Sequence, residues 1–274
     1  MNVEDIRKNW FVPHNNFQSQ VDMWDSQAED PIYNIMPTFE DNKFLQLLQQ
    51  EQMINPTFDV LDVGCGVGVY AMAIAKRVHS AMGVDFSQKM ISRGKAKLEQ
   101  DQISNVTLSC MDWSTVDIEK QGFKERFDLV FAHTTPAICD LTTFEKMNAA
   151  SKRFCVISNP SKMVEPVLQK VHELVGLDGD KGDCGDTRIY VVDMLFHMGY
   201  LPKLAYEHQV WPMNQSYDDA CSYYIGRTTM AKQLTPDEID KIKQYLASIK
   251  TAEGKVIDQI DTTITTIYWE KQSS

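Results

Sequence analysis

Val60-Leu61-Asp62-Val63-Gly64-Cys65-Gly66-Val67-Gly68 is a short β-prone strand that runs straight into a loop with three alternating glycines. The residues from Val69 to Val78 have helical character, so the segment reads as strand, tight turn and helix. Glycine lets the backbone turn sharply and approach a ligand, because no Cβ stands in the way. A helix that opens behind such a turn presents unpaired amides to that ligand. The dinucleotide fingerprint G-x-G-x-x-G would require glycine at position 69, where this chain has Val69. Asp62, at the strand end, repels a phosphate and attracts a cation, which suits a sulfonium that also carries an amino group.

Working outward, a second strand, Ala81 to Val84, ends in Asp85, close to where α/β nucleotide folds place a carboxylate on ribose hydroxyls. A third, Val106 to Cys110, runs into Met111-Asp112-Trp113, and a fourth, Asp128 to Ala132, lies in Phe127-Asp128-Leu129-Val130-Phe131-Ala132. Arg153 to Ser158 makes a fifth. Alternation of these strands with helices predicts a parallel sheet whose carboxyl ends share one edge, the edge at which open α/β sheets bind ligands. The order of glycine loop, acidic strand end, second acidic strand end and Phe-Asp-Leu-Val strand resembles the class I S-adenosylmethionine-dependent methyltransferases, in their small-molecule, type 11 or UbiE-like group. The resemblance covers about residues 55 to 160.

That resemblance implies S-adenosylmethionine as cofactor and S-adenosylhomocysteine as product. It implies Gly64, Cys65, Gly66 and Gly68 against the methionine part, Asp62 near its amino group, and Asp85 on both ribose hydroxyls. Asp112 takes the adenine amino group, Trp113 or Phe86 offers it a face, and Met90 and Ala132 complete the cofactor site. Read for themselves, Asp62 and Asp85 are equally residue types that cap helices, Asp112 is ordinary turn chemistry, and Trp113 suits packing. After the fourth strand comes His133-Thr134-Thr135-Pro136-Ala137, in place of the Asn or Asp with Pro-Pro and an aromatic found in methyltransferases of base amines or glutamine. His133 stands where an acceptor approaches the methyl, and its imidazole can take a proton from a hydroxyl, thiol or amine. Tyr33, Thr134, Trp211 and Tyr223 are the candidate acceptor-pocket residues.

The fold class expected is therefore α/β, a Rossmann-like doubly wound sheet of seven mostly parallel strands with an antiparallel last strand. An N-terminal helical cap and a helical insertion before the last strand are added to it. One methyltransferase domain spans 1–274, with the cap at 1–52, the core at 53–211 and 256–271, and the insertion at 212–255 forming part of the acceptor pocket. Asn159-Pro160 is expected to break the chain after the fifth strand, with a helix from Val164 to Val175 beyond it. A further helix ends at Gly199, strands follow at Tyr200 to Val210 and Thr262 to Trp269, and Leu234-Thr235-Pro236-Asp237-Glu238 opens a helix between them. The run from Gly176 to Asp186 is acidic and tempts a calcium reading. An EF-hand loop needs Gly at its sixth and Glu at its twelfth position, and Asp183 and Ile189 stand there.

The 274 residues are 43% apolar and 24% charged, enough for one sizeable core. Six cysteines without a C-x-x-C pair argue for free thiols rather than disulfides or a zinc site, and no metal is expected. No apolar run is long enough for a bilayer and no apolar leader follows the acidic start, so a cytoplasmic protein without membrane contact is expected. A net charge of −11 points away from phosphate-rich partners, so the expected partner is a small-molecule acceptor and no nucleic acid. The oligomeric state is open between monomer and homodimer. The competing functions are a protein or RNA methyltransferase, a cofactor-binding sensor without turnover, and a nicotinamide oxidoreductase, the last opposed by Val69 and Asp62.

Overall fold

The structure is a computed structural model that describes residues 1–10, 17–29, 31–177 and 187–271. The acidic run predicted between Gly176 and Asp186 falls outside them from residue 178 onward. The described chain gives α1 (Val3–Asn9), α2 (Phe17–Gln27), α3 (Lys43–Gln50), β1 (Asp59–Val63), α4 (Val69–Ile74), β2 (Ser80–Asp85), α5 (Gln88–Gln100), β3 (Val106–Cys110), β4 (Phe127–His133), α6 (Leu141–Ala150), β5 (Ser151–Val164), α7 (Pro166–Leu174), α8 (Thr187–His197), β6 (Lys203–Ser216), α9 (Tyr217–Ala231), α10 (Pro236–Ile249) and β7 (Lys255–Glu270). The seven strands form one sheet in the order β3-β2-β1-β4-β5-β7-β6, with the last strand antiparallel. β1, β2, β3, β4 and β5 pair in parallel. The seven-stranded, Rossmann-like expectation holds.

The chain divides into two compact units: residues 1–159, 186–205 and 265–274, and residues 160–185 and 206–264. In the first, the central strands bury both faces. Leu61, Val63, Val84, Val130, Ala132 and Cys155 point into one apolar layer with α1, α6 and α8, while Val60, Ala81, Leu129, Phe131 and Val156 point into another with α3, α4 and α5. Alternate residues of one strand thus serve opposite layers, as the period of two in a strand requires. Leu61 is fully buried, and its truncation to alanine would cost about 2–5 kcal/mol. The second unit has its own core, in which Val167 and Val171 of α7, Tyr224 of α9 and Leu246 of α10 are buried together.

Three local expectations are corrected. Asn159-Pro160 does not end the fifth strand, which runs on to Val164. The last β4–β5 pair is His133 with Ser158, so past that point β5 faces no β4 residue that needs the amide proline lacks, and Ser161 Oγ instead donates to the Thr263 carbonyl of β7 at 2.9 Å. The helix after the glycine loop is shorter than predicted, ending at Ile74 and tightening into a 3-10 turn over Ala75–Arg77. Among the described N-terminal residues α1, α2 and α3 are helical, but not all of them cover the sheet edge: Ile6 and Trp10 at α1, and Leu45 and Leu48 of α3, lie in the two main apolar layers. Gly199 ends α8 as predicted, with φ 79° and the Tyr200 amide donating back to the Leu195 carbonyl at 2.9 Å. Pro202 then precedes a sixth strand that starts three residues later than expected.

Candidate active site

The glycine loop is held open by its own backbone. Gly64, Gly66 and Gly68 have φ of 72°, 56° and 83°, a region that suits glycine and strains other residues. The Gly64 and Cys65 amides both donate to the Val84 carbonyl, at 2.8 and 3.1 Å, which ties the turn to the end of β2. A Cβ on Gly64 would lie 2.0 Å from Thr135 Oγ1, so the loop after β4 presses directly against the glycine loop. At Gly66 a Cβ would meet nothing within 4 Å. The loop is crowded beneath and open above.

Asp85 closes this turn from β2. Its Oδ2 accepts from the Gly66 amide and its Oδ1 from the Ser87 amide, both at 2.8 Å. Each carboxylate oxygen keeps a second lone pair for a ligand hydroxyl. Asp62 is 3% exposed and accepts from the Ala71 amide in the first turn of α4, so it serves that helix as well as facing the site. Burial raises the Asp62 carboxyl well above the usual range, and the Asp85 charge adds to the rise. Asp85 is also raised, first by burial, although its two amide donors pull the other way. The Cys65 thiol is pushed up by burial and by both carboxylates. Among the described residues neither carboxylate is in an ion pair.

The other expected positions are arranged as follows. Asp112 folds into an Asx turn, with the Ser114 amide donating to its Oδ1 at 2.8 Å. Trp113 is buried, its indole NH donating to the Thr143 carbonyl at 3.1 Å, so the ring is used in the layer beneath α6. Met90 is buried against Val67 and Ala28, Ala132 is fully buried in β4, and the Phe86 carbonyl accepts from the Cys110 thiol. His133, at the end of β4, stacks on Phe44 with ring centroids 4.2 Å apart and meets Tyr70 at 4.3 Å. Burial drives its imidazole down to about 3, and its Nδ1 is buried without a hydrogen-bond partner. Thr134 is exposed with φ 52°, a strained conformation for a β-branched residue, fixed by its amide donating to Ser158. Tyr33 meets Trp24 edge-on. Trp211 and Tyr223 belong to the second unit, Trp211 donating to Gln209 and Tyr223 accepting from Arg227.

Sequence reasoning missed four residues at this edge. Phe44 and Tyr70 pack against His133 and, edge-on, against each other, Thr135 fills the space under Gly64, and Asp25 of α2 accepts a hydrogen bond from Ser87 Oγ. Ser87 has a readable signal, since a serine three residues before Met90 and just ahead of an apolar helix is an N-cap pattern, and its Oγ accepts from the Met90 amide at 3.1 Å. Asp25, Phe44 and Tyr70 carry no signal, because what matters is which helix folds over the edge.

A loop of left-handed glycines, a carboxylate at each of two adjacent strand ends and the loop after β4 thus share one edge of the sheet, an arrangement that supports a class I S-adenosylmethionine-dependent methyltransferase domain. Residues 60–156 match the family model described as a methyltransferase domain. Among curated relatives, the 23S rRNA (uracil(1939)-C(5))-methyltransferase RlmD of Aliivibrio fischeri is 32% identical over 195 residues, 65% of this chain and 42% of that protein. This chain therefore spans about two fifths of that relative's length. Among solved structures, a SAM-dependent methyltransferase from Aquifex aeolicus aligns with a TM-score of 0.50 and 11% identity over 91% of this chain and 97% of the other. Haemonchus contortus phospholethanolamine N-methyltransferase 2, in complex with phosphomonomethylethanolamine and S-adenosylhomocysteine, aligns with a TM-score of 0.51 and 15% identity over 96% and 61%. At these identities the structures speak for the fold.

One expectation is overturned. The net charge of −11 led to no nucleic-acid partner being expected, yet the curated relatives are rRNA methyltransferases. Net charge sums the whole surface and does not describe any one face of it. No helix among the described residues is long and apolar enough to cross a membrane.

Proposed function

We propose that the protein methylates a nucleophile on a small molecule, using S-adenosylmethionine bound at the glycine loop. The observation that carries this reading is uncompensated negative charge: Asp62 is buried beside the half-buried Asp85 at an open loop, and among the described residues neither is in an ion pair. A buried carboxylate is retained where a partner neutralises it, and a cationic ligand does so. When bound, S-adenosylmethionine supplies a methyl group already activated on a sulfonium. What this chain contributes is binding, alignment and exclusion of water. Asp62 faces the ammonium, Asp85 accepts from the ribose hydroxyls, and the open side of Gly66 admits the methionine backbone.

His133 has a narrower task than general base. An imidazole held down to about 3 is a poor proton acceptor at neutral pH, but its unpartnered Nδ1 accepts a hydrogen bond well. It orients the acceptor at the end of β4, its ring held by Phe44 and Tyr70, and Asn42 fixes Tyr70 by donating to its hydroxyl at 3.1 Å. Acceptors that need little help in losing a proton, amines and thiols above all, suit this arrangement.

A second reading, methylation of an RNA base, is favoured by the similarity to the RlmD enzymes. One experiment separates them. Purified protein is incubated with S-adenosylmethionine and panels of amines, thiols, phenols, carboxylates and rRNA transcripts, and S-adenosylhomocysteine is measured. Turnover with a small nucleophile supports the first reading, and turnover confined to RNA replaces it with the second. Cofactor binding without turnover on any panel leaves a sensor.

A further inference from the structure

The glycine loop and the two strand-end acids do not account for a third carboxylate at the same edge. Asp25 comes from α2, in the N-terminal segment. Its Oδ1 accepts from Ser87 Oγ, while the Ser87 amide donates to Asp85 Oδ1 at 2.8 Å. One residue therefore holds two carboxylates, one through its side chain and one through its backbone. Ser87 is fully buried, and the same Oγ accepts from the Met90 amide to cap α5, so its rotamer is fixed from both sides. Ala28, just past the end of α2, is 1% exposed and lies with Val67 of the glycine loop and with Met90. The charge on Asp25 is felt at the site: it contributes to the upward shifts of both the Asp85 carboxyl and the Cys110 thiol. Among the described residues Asp25, like Asp62 and Asp85, is in no ion pair.

Like charges brought together without a counter-ion are unfavourable, and water outside cannot screen a part-buried group fully. A fold that keeps three of them at one edge favours a ligand that brings positive charge. S-adenosylmethionine has a net charge of +1 at neutral pH, and S-adenosylhomocysteine has none. The two differ at the sulfur, which is borne on the ribose carbon next to the ring that Asp85 is proposed to hold.

Resting on the cofactor reading above, we propose that Asp25 is a specificity-determining residue that favours the charged methyl donor over the neutral product, and that Ser87 positions it. Product release is thereby made easier than donor release.

Binding of S-adenosylmethionine and of S-adenosylhomocysteine is measured by calorimetry on the full chain, for the wild type and for Asp25→Asn and Asp25→Glu. Asparagine keeps an acceptor for Ser87 and removes the charge. With a unit charge some way off in a partly screened site, the donor-to-product affinity ratio is expected to fall about five- to ten-fold in Asp25→Asn, with product affinity within about two-fold of wild type. Asp25→Glu retains the charge and is expected to keep most of the ratio. An unchanged ratio in Asp25→Asn overturns the proposal, as does equal weakening of both ligands, which would mean that α2 is only a structural cover. Circular dichroism confirms folding of each variant; if Asp25→Asn does not fold, the ratio is read in the neutral Asp25→Ser, where an unchanged value likewise overturns the proposal. If the wild type binds neither ligand, the cofactor reading itself has failed, a result distinct from an unchanged ratio.

Discussion

At the residue scale, a carboxylate does two jobs at each strand end. Asp85 organises the turn through two amides before any ligand arrives, so Asp85→Ala is expected to weaken S-adenosylmethionine binding at least about ten-fold, the loss of one good charged hydrogen bond. Unchanged affinity by calorimetry would remove Asp85 from the ribose. Gly64→Ala is expected to be worse, because the new methyl would collide with Thr135 and strain a left-handed residue by about 1–2 kcal/mol besides. A melting temperature equal to wild type would show that the loops are less tightly apposed than described. His133 makes a prediction about pH. Burial pushes its imidazole down to about 3, so the rate of methyl transfer should show no limb near pH 6.5 that disappears in His133→Gln.

At the scale of elements, what positions the site is ordinary capping and pairing. Asp140 caps α6 through the Thr143 amide at 2.7 Å, and the Thr143 carbonyl in turn holds the Trp113 indole. Asp140→Ala is expected to lower unfolding stability by about 1 kcal/mol, most of it recovered in Asp140→Asn, as read by denaturant melts. The strand ends that carry chemistry were legible because runs such as Val60 to Val63 and Phe127 to Ala132 are β-prone and pass directly into a glycine loop or a polar segment. The continuation of β5 past Pro160 was not legible, since proline breaks a strand only where its amide is wanted, and that depends on which neighbour lies alongside. Trp113 shows the same limit at the site: its place in the sequence suited a ligand face, and its indole found a carbonyl in the core instead. Asp25 escaped notice because nothing in α2 tells which loop it covers.

For the molecule as a whole, the site is bought at the expense of stability. Asp62 has a folded-state carboxyl raised well above its unfolded value, so its contribution to stability is complete below about pH 4 and is lost as pH rises through the folded value. Asp62→Asn is therefore expected to melt higher than the unliganded wild type at neutral pH, with the gap closing on acidification, and to lose cofactor binding. A gap that does not change with pH would mean that Asp62 already has a counter-charge. The order of the sheet has a different consequence, one for synthesis. β7 lies between β5 and β6 but follows both in the chain, so β6 leaves the ribosome with none of the described strands to pair with and must wait, as a long unpaired edge, until residues 255–270 have emerged. Stalling or truncation within β7 would leave the first five strands able to pair and β6 free to find a partner in another molecule.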